Sequence, residues 1–102
     1  MDSGKERSLN TPLILVIDDD TRLRKLLQKY LSENGFRVFS AANTAEADEM
    51  MSWYVFDLLV VDVMMPGESG IDFTKRLRAD GQPVPVLILT AMGEADDRIS
   101  GL

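Results

Sequence analysis

The sequence contains no cysteine and no histidine. The first absence removes disulfide staples, thiolate metal sites and cysteine nucleophiles. The second removes the commonest general base and the commonest transition-metal ligand. Zinc chemistry and Ser-His-Asp catalysis are excluded with them. Basic residues are also scarce. Eleven of them against seventeen acidic ones leave a net charge of −6, a poor basis for gripping a phosphate backbone. Long hydrophobic runs are missing too: Leu13–Ile17 and Leu58–Val61 fall far short of the ~20 residues of a membrane helix. Met1–Asn10 is polar and mixed in charge, with no secretory apolar core. A reducing, cytoplasmic compartment is the expectation. Any chemistry must come from carboxylates, hydroxyls, lysines or backbone groups.

What is present suits one small domain. A chain of 102 residues, 45% of them hydrophobic, can bury a core of its own. Met1–Pro12 carries no periodic apolar pattern and reads as a flexible tail, leaving 13–102 as the folded unit. Leu13–Ile17 is a continuous branched apolar run, the pattern of a strand buried on both faces. Leu23, Leu26, Leu27, Tyr30 and Leu31 then follow the spacing of one helix face, capped by Asp20 or Thr21 and ended by Gly35. Arg37–Ser40 is half polar and reads as an edge strand. Asn43-Thr44 opens a second helix to about Trp53, with Ala47, Met50 and Met51 inward. Leu58–Val61 repeats the buried-strand pattern, and Val63–Ser69 is a loop around Pro66-Gly67. Gly70–Ala79 predicts a third helix with Ile71, Phe73 and Leu77 inward, stopped by Asp80-Gly81. Val86–Leu89 is a fourth strand, and Glu94–Leu102 resembles the opening of a further helix. Strands alternating with helices over short connections predict a parallel α/β sheet with right-handed crossovers.

Polar residues end three of these strands: Asp18 and Asp19 the first, Asp62 the third, Thr90 the fourth. In open α/β sheets ligands bind beyond the carboxyl ends of the strands. If the three strands are neighbours, the four residues share one crevice. Carboxylates there repel; two unit charges at ~4 Å cost about 4 kcal/mol at an effective dielectric of 20. A hard divalent cation relieves this, and Mg²⁺ keeps waters that a phosphoryl oxygen can displace. An isolated Asp18-Asp19-Asp20 would be an ordinary helix cap, and Asp20 reads as one. The second aspartate and the hydroxyl on two further strands turn the reading toward a Mg²⁺ site. Arg22, Arg24, Lys25 and Lys29 read as the solvated face of the first helix.

Three segments carry a family resemblance: Ile14-Leu15-Val16-Ile17-Asp18-Asp19-Asp20, Asp62-Val63-Met64-Met65-Pro66-Gly67, and Leu89-Thr90-Ala91. Together, in this order and spacing, they resemble the receiver domain of two-component response regulators. Thr21–Phe36 and Gly93–Leu102 look most like the OmpR subgroup of winged-helix transcription factors. The resemblance implies a flavodoxin-like, CheY-like doubly wound parallel sheet of order 2-1-3-4-5. It implies Asp62 as phospho-acceptor and Mg²⁺ held by Asp18, Asp19, Asp62 and the backbone carbonyl of Met64. Asp19 would ligate directly and Asp18 through water. Thr90 would contact the phosphoryl group and move on activation. The partners implied are a sensor histidine kinase and an output DNA-binding domain. Slow autodephosphorylation, rather than turnover of a substrate, would be its chemistry, with Met64 and Met92 flanking the water's approach.

The family's fifth strand with its aromatic switch residue, the lysine after it and the final helix are not in these 102 residues. The expectation is a piece of a longer regulator that would self-associate through a bare fourth strand. Direct nucleic-acid or membrane binding by this piece is not expected. Three other readings stay open. A haloacid-dehalogenase-type phosphatase also places aspartates after a first strand, but Asp18-Asp19-Asp20-Thr21 is followed by Arg22 where that motif needs Thr or Val. A flavodoxin-like cofactor binder would need a Ser/Thr/Gly-rich phosphate cradle after the first strand. A receiver that works without phosphorylation would not need the full set Asp18, Asp19, Asp62 and Thr90.

Overall fold

The computed structural model of the chain describes residues 11–90. The expected helix opening at Glu94–Leu102, Ala91, Met92, and the tail up to Asn10 lie outside them. The described elements are β1 (Leu13–Ile17), α1 (Thr21–Glu33), β2 (Arg37–Ala41), α2 (Thr44–Trp53), β3 (Leu58–Asp62), α3 (Gly70–Ala79) and β4 (Val86–Leu89). All pairings are parallel, in the order β2-β1-β3-β4. This is the order expected from the sequence, with β2 at an edge.

Strand alternation sorts the apolar residues onto two faces. Leu13, Leu15 and Ile17 of β1 join Leu59 and Val61 of β3 beneath α2 and α3, which supply Ala47, Phe73 and Leu77. Ile14, Val16 and Val60 point the other way, where Leu27 and Leu31 of α1 cover them. Every residue of β1 is therefore buried. Helices on both faces make the sheet doubly wound.

The caps are those the sequence announces. Asp20 Oδ1 accepts from the amides of Arg22 and Leu23, and Asn43 Oδ1 accepts from Glu46. Glu46 Oε1 in turn accepts from the Ala42 amide, a reciprocal cap that starts α2. Gly35 and Gly81 take positive φ just after α1 and α3, where a β-carbon would strain the turn.

Two apolar assignments need correction. Leu26 and Tyr30 are each 61% exposed, so α1 does not bury the whole predicted face. Polar anchors set its roll: Arg24 Nη1 donates to the Asp18 carbonyl at 2.7 Å and Gln28 Nε2 to the Val38 carbonyl at 3.1 Å. That roll keeps Leu27 and Leu31 on the sheet and turns Leu26 and Tyr30 outward. Ile71 is 47% exposed. At about 100° per residue it lies nearly opposite Phe73 around α3, and Phe73 and Leu77 already fill the inner face.

Phe73→Ala is expected to cost about 3–5 kcal/mol, because its ring is wholly enclosed. Ile71→Ala should stay within about 0.5 kcal/mol. Urea unfolding of both variants measures this; similar losses would show that the facing of α3 is misassigned.

Candidate functional site

Because β1 and β3 are adjacent and in register (Ile17 opposite Val61), the residues that follow, Asp18 and Asp62, emerge side by side. One carboxylate oxygen from each of Asp18, Asp19 and Asp62 lies within 4.8 Å of the other two. On the other side of β3, Asp62 pairs with Leu89, which brings Thr90 to the same cleft. Leu23, Leu27 and Leu89 line the rest of it. The predicted strand-end residues thus share one site. Of Met64 the structure brings the backbone amide to the site, donating to Asp62 Oδ1 at 3.2 Å, while the side chain is 64% exposed.

The three consecutive aspartates have separate tasks. Asp20 caps α1. Asp19 is exposed at the mouth of the cleft. Asp18 is 1% exposed, the one buried polar or charged side chain among the described residues. Its Oδ1 accepts from the Asp20 amide at 2.8 Å, whereas its Oδ2 is buried with no hydrogen-bond partner. A buried oxygen lacking a donor is costly in a neutral setting and suits a cation-binding one.

Electrostatics agree. Burial raises the Asp18 carboxyl above its ordinary value, opposed by the Asp20 amide and reinforced by the charges of Asp62, Asp19 and Asp20. Burial likewise raises the Asp62 carboxyl, opposed by the Met64 amide and reinforced by Asp19 and Asp20. Three carboxylates with one buried orphan oxygen are the hard, oxygen-only donor set that Mg²⁺ takes. The residues present fit that ion.

The match to known proteins follows this geometry. Residues 14–102 match the family model of the response regulator receiver domain. The chain belongs to that family. Receiver domains are phospho-acceptor signalling domains, not turnover enzymes, and bind Mg²⁺ at the acidic pocket. The phosphatase and flavin-binder readings end here. Protein PetR of Rhodobacter capsulatus is 47% identical over 95 residues, which are 93% of this chain and 40% of that protein. Response regulator MprA of Mycobacterium ulcerans is 43% identical over 89 residues, 87% of this chain and 38% of that one. The chain therefore spans about 40% of the length of these relatives. The receiver domain of Francisella response regulator 1452 superposes with a TM-score of 0.76 at 33% identity, covering 89% of this chain and 75% of that one. Response regulator TrrA of Thermotoga maritima, solved in complex with Mg(2+)-BeF, superposes with a TM-score of 0.74 at 33% identity, covering 79% and 70%.

In this receiver domain two contributors to the site escape sequence reasoning. Arg24, read as solvated, instead ties α1 to the Asp18 carbonyl. Gly70 opens α3 against the backbone of Asp62: a β-carbon there would collide with the Asp62 carbonyl oxygen. Neither leaves a signal in a single sequence, since each depends on a residue that is distant along the chain or on backbone geometry.

The raised Asp18 and Asp62 values fix the sign of a pH effect. A carboxyl whose value is raised on folding favours the folded state below its unfolded pKa, and that contribution is lost as pH rises through the folded value. In chelator at neutral pH, Asp62→Asn should therefore stabilise the domain by about 1 kcal/mol, or about 4–8 °C in Tm. Mg²⁺ should raise the Tm of the native protein and do so far less for the variant. Thermal melts in chelator and in Mg²⁺ across pH measure both effects, and a destabilised variant in chelator would refute the repulsion account.

Proposed function

We propose that Asp62 accepts a phosphoryl group from the phosphohistidine of a sensor kinase, with Mg²⁺ held by Asp18, Asp19, Asp62 and the Met64 carbonyl. The observation that carries this reading is the half-buried Asp62 beside a buried Asp18 whose Oδ2 has no donor. Mg²⁺, when bound, supplies charge neutralisation for the transferring oxygens. The chain's own residues do the rest. The Met64 amide holds Asp62 Oδ1 and leaves the other carboxylate oxygen to attack phosphorus. The oxygen–phosphorus bond forms as the phosphorus–nitrogen bond to the kinase imidazole breaks, and the imidazole takes up a proton. The Thr90 hydroxyl is read as the donor to a phosphoryl oxygen, and its shift on phosphorylation as the signal. Leu23, Leu27 and Leu89 limit water at the site, and exposed Met64 cannot orient a hydrolytic water. Slow autodephosphorylation follows.

Residues 13–102 are read as the receiver and 1–12 as a segment ahead of it. The output is read as an OmpR-type DNA-binding domain and the compartment as the cytoplasm. Among the described residues, no helix is long and apolar enough to cross a membrane. Intact-mass measurement of the full-length protein, which supplies the family's lysine, with acetyl phosphate and Mg²⁺ tests the acceptor. The native protein should gain one phosphoryl group, Asp62→Asn none, and Asp19→Ala should lose the dependence on Mg²⁺. Phosphate mapped to another residue, or none on the native protein, would falsify the assignment and favour a receiver working without phosphorylation.

Self-association belongs to the same reading. Among the described residues, β4 has a strand neighbour on one side only, and Leu87 is 52% exposed. Pro83 and Pro85 guard only the approach to that edge. Uncharged edges of this kind recruit other strands. The 102-residue chain by itself should associate through β4, with its sedimentation coefficient rising with concentration. A monomer unchanged across the series would mean the edge is covered or tolerated.

A further inference from the structure

Away from the acidic cleft, a second set of charges converges on Arg76 of α3. Its Nε and Nη2 donate to the two oxygens of Glu68 at 2.9 and 2.8 Å, a two-pronged contact. Nη2 also donates to Asp48 Oδ2 of α2 at 2.9 Å. The guanidinium lies 5.2 Å from the centre of the buried Phe73 ring, which holds it over the core. Glu68 sits at the far end of the loop 63–69, the loop that leaves Asp62. Both ends of the loop are fixed as well: the Val63 amide donates to the Leu89 carbonyl at 2.8 Å, and the Gly70 amide closes the loop on the Val63 carbonyl at 3.2 Å. Buried Met65 anchors the chain between them. The remaining exposed stretch is Pro66-Gly67, where Gly67 has φ +80°.

We infer that Arg76 is a positioning residue for phosphoryl acceptance at Asp62, acting through its fork on Glu68 to fix the loop that carries the Met64 backbone. This rests on the reading of Asp62 given above. If the fork is lost, the loop keeps the Val63, Met65 and Gly70 contacts but loses the side-chain tether that Glu68 makes to α3. The Met64 amide, which orients Asp62 Oδ1, then belongs to a loop with one tether fewer. The hydrogen bond from Arg76 holds the Glu68 carboxyl below its ordinary value, so the fork stays ionised well below neutral pH. Lysine would keep the charge but cannot make two parallel bonds to one carboxylate. With side chains 39% and 25% exposed, the Arg76–Glu68 pair is partly screened by solvent, while its two-pronged geometry and the bond to Asp48 let it add to stability as well. Its loss is therefore read in the reaction beside the melt, at a temperature where every variant is folded.

The test uses the full-length protein with acetyl phosphate as the probe, following initial phosphorylation rate against Mg²⁺ concentration. Arg76→Met is expected to lower the rate at subsaturating Mg²⁺ by about 10-fold and to raise the Mg²⁺ half-saturation point, beyond what any fall in Tm accounts for. Arg76→Lys should recover only part of the loss. Glu68→Gln should act in the same direction, and the double variant should be no worse than Arg76→Met, as for one shared interaction. Should Arg76→Met fail to fold, Arg76→Lys and Glu68→Gln carry the same comparison. Unchanged rate and Mg²⁺ dependence in folded variants, or a loss that tracks Tm alone, overturns the inference while Asp62 stands. Absence of phosphate from Asp62 in the unsubstituted protein overturns both, and traces the failure to the acceptor.

Discussion

The top of this sheet is organised by a repulsion that the fold does not relieve. One oxygen each from Asp18, Asp19 and Asp62 is gathered within 4.8 Å, two of these carboxylates at least partly withdrawn from water. Nothing in side-chain packing rewards such a grouping, and burial pushes both the Asp18 and the Asp62 carboxyls toward their neutral forms. The cluster persists because rigid elements impose it. Asp18 and Asp62 directly follow or end strands whose preceding residues are enclosed on both faces: Val16, Ile17 and Val61 are at most marginally exposed. Moving either aspartate away would mean shifting a central strand. Stability is held in the apolar layers, and the resulting rigidity is spent at the strand ends.

The surrounding contacts then act on backbone rather than on charge. Arg24 bonds the Asp18 carbonyl and not its carboxylate. Gly70 allows α3 to close onto the Asp62 carbonyl. Arg76 takes its carboxylates from Glu68 and Asp48, outside the cleft. Among the described residues, the cations that approach the site thus leave the carboxylates of the cluster uncompensated. An internal ion pair there would have lowered the cost of the cluster.

How far the chain could be read in advance follows from range. The strands were legible because continuous apolar runs are local, and the strand-end aspartates were legible because each terminates such a run. The caps at Asp20 and Asn43 were legible because each acts on amides two or three residues away; Ser69, which caps α3 in the same way, was read only as the end of a loop. The roll of α1 was not legible, since Gln28 meets the Val38 carbonyl only once β2 is in place, and the six-residue reach from Arg24 to the Asp18 carbonyl matches no helical period. Leu26 and Tyr30 fit the helical period and still face out. Ile71 failed for a simpler reason: helical geometry sets it opposite Phe73, and an isolated apolar residue on the outer face of a short helix carries no packing information. Glu68 and Arg76 are eight residues apart across a loop–helix junction, a spacing that no periodic pattern marks.

The allocation of donors explains why the cluster needs something from outside. A helix N-terminus is the fold's ordinary means of stabilising negative charge, and α1 begins within three residues of Asp18. Its free amides at Arg22 and Leu23 are, however, taken by the Asp20 side chain. The Asp20 amide is taken by Asp18 Oδ1, and the Met64 amide by Asp62 Oδ1. Each of these bonds satisfies one oxygen of a carboxylate and leaves the other. For Asp18 the remaining oxygen is buried without any partner. These four backbone donors are thus committed to fixing how the carboxylates point, and they leave the negative charge of the cluster in place. A site built this way has its carboxylates oriented by the fold itself, with no ion needed to turn them.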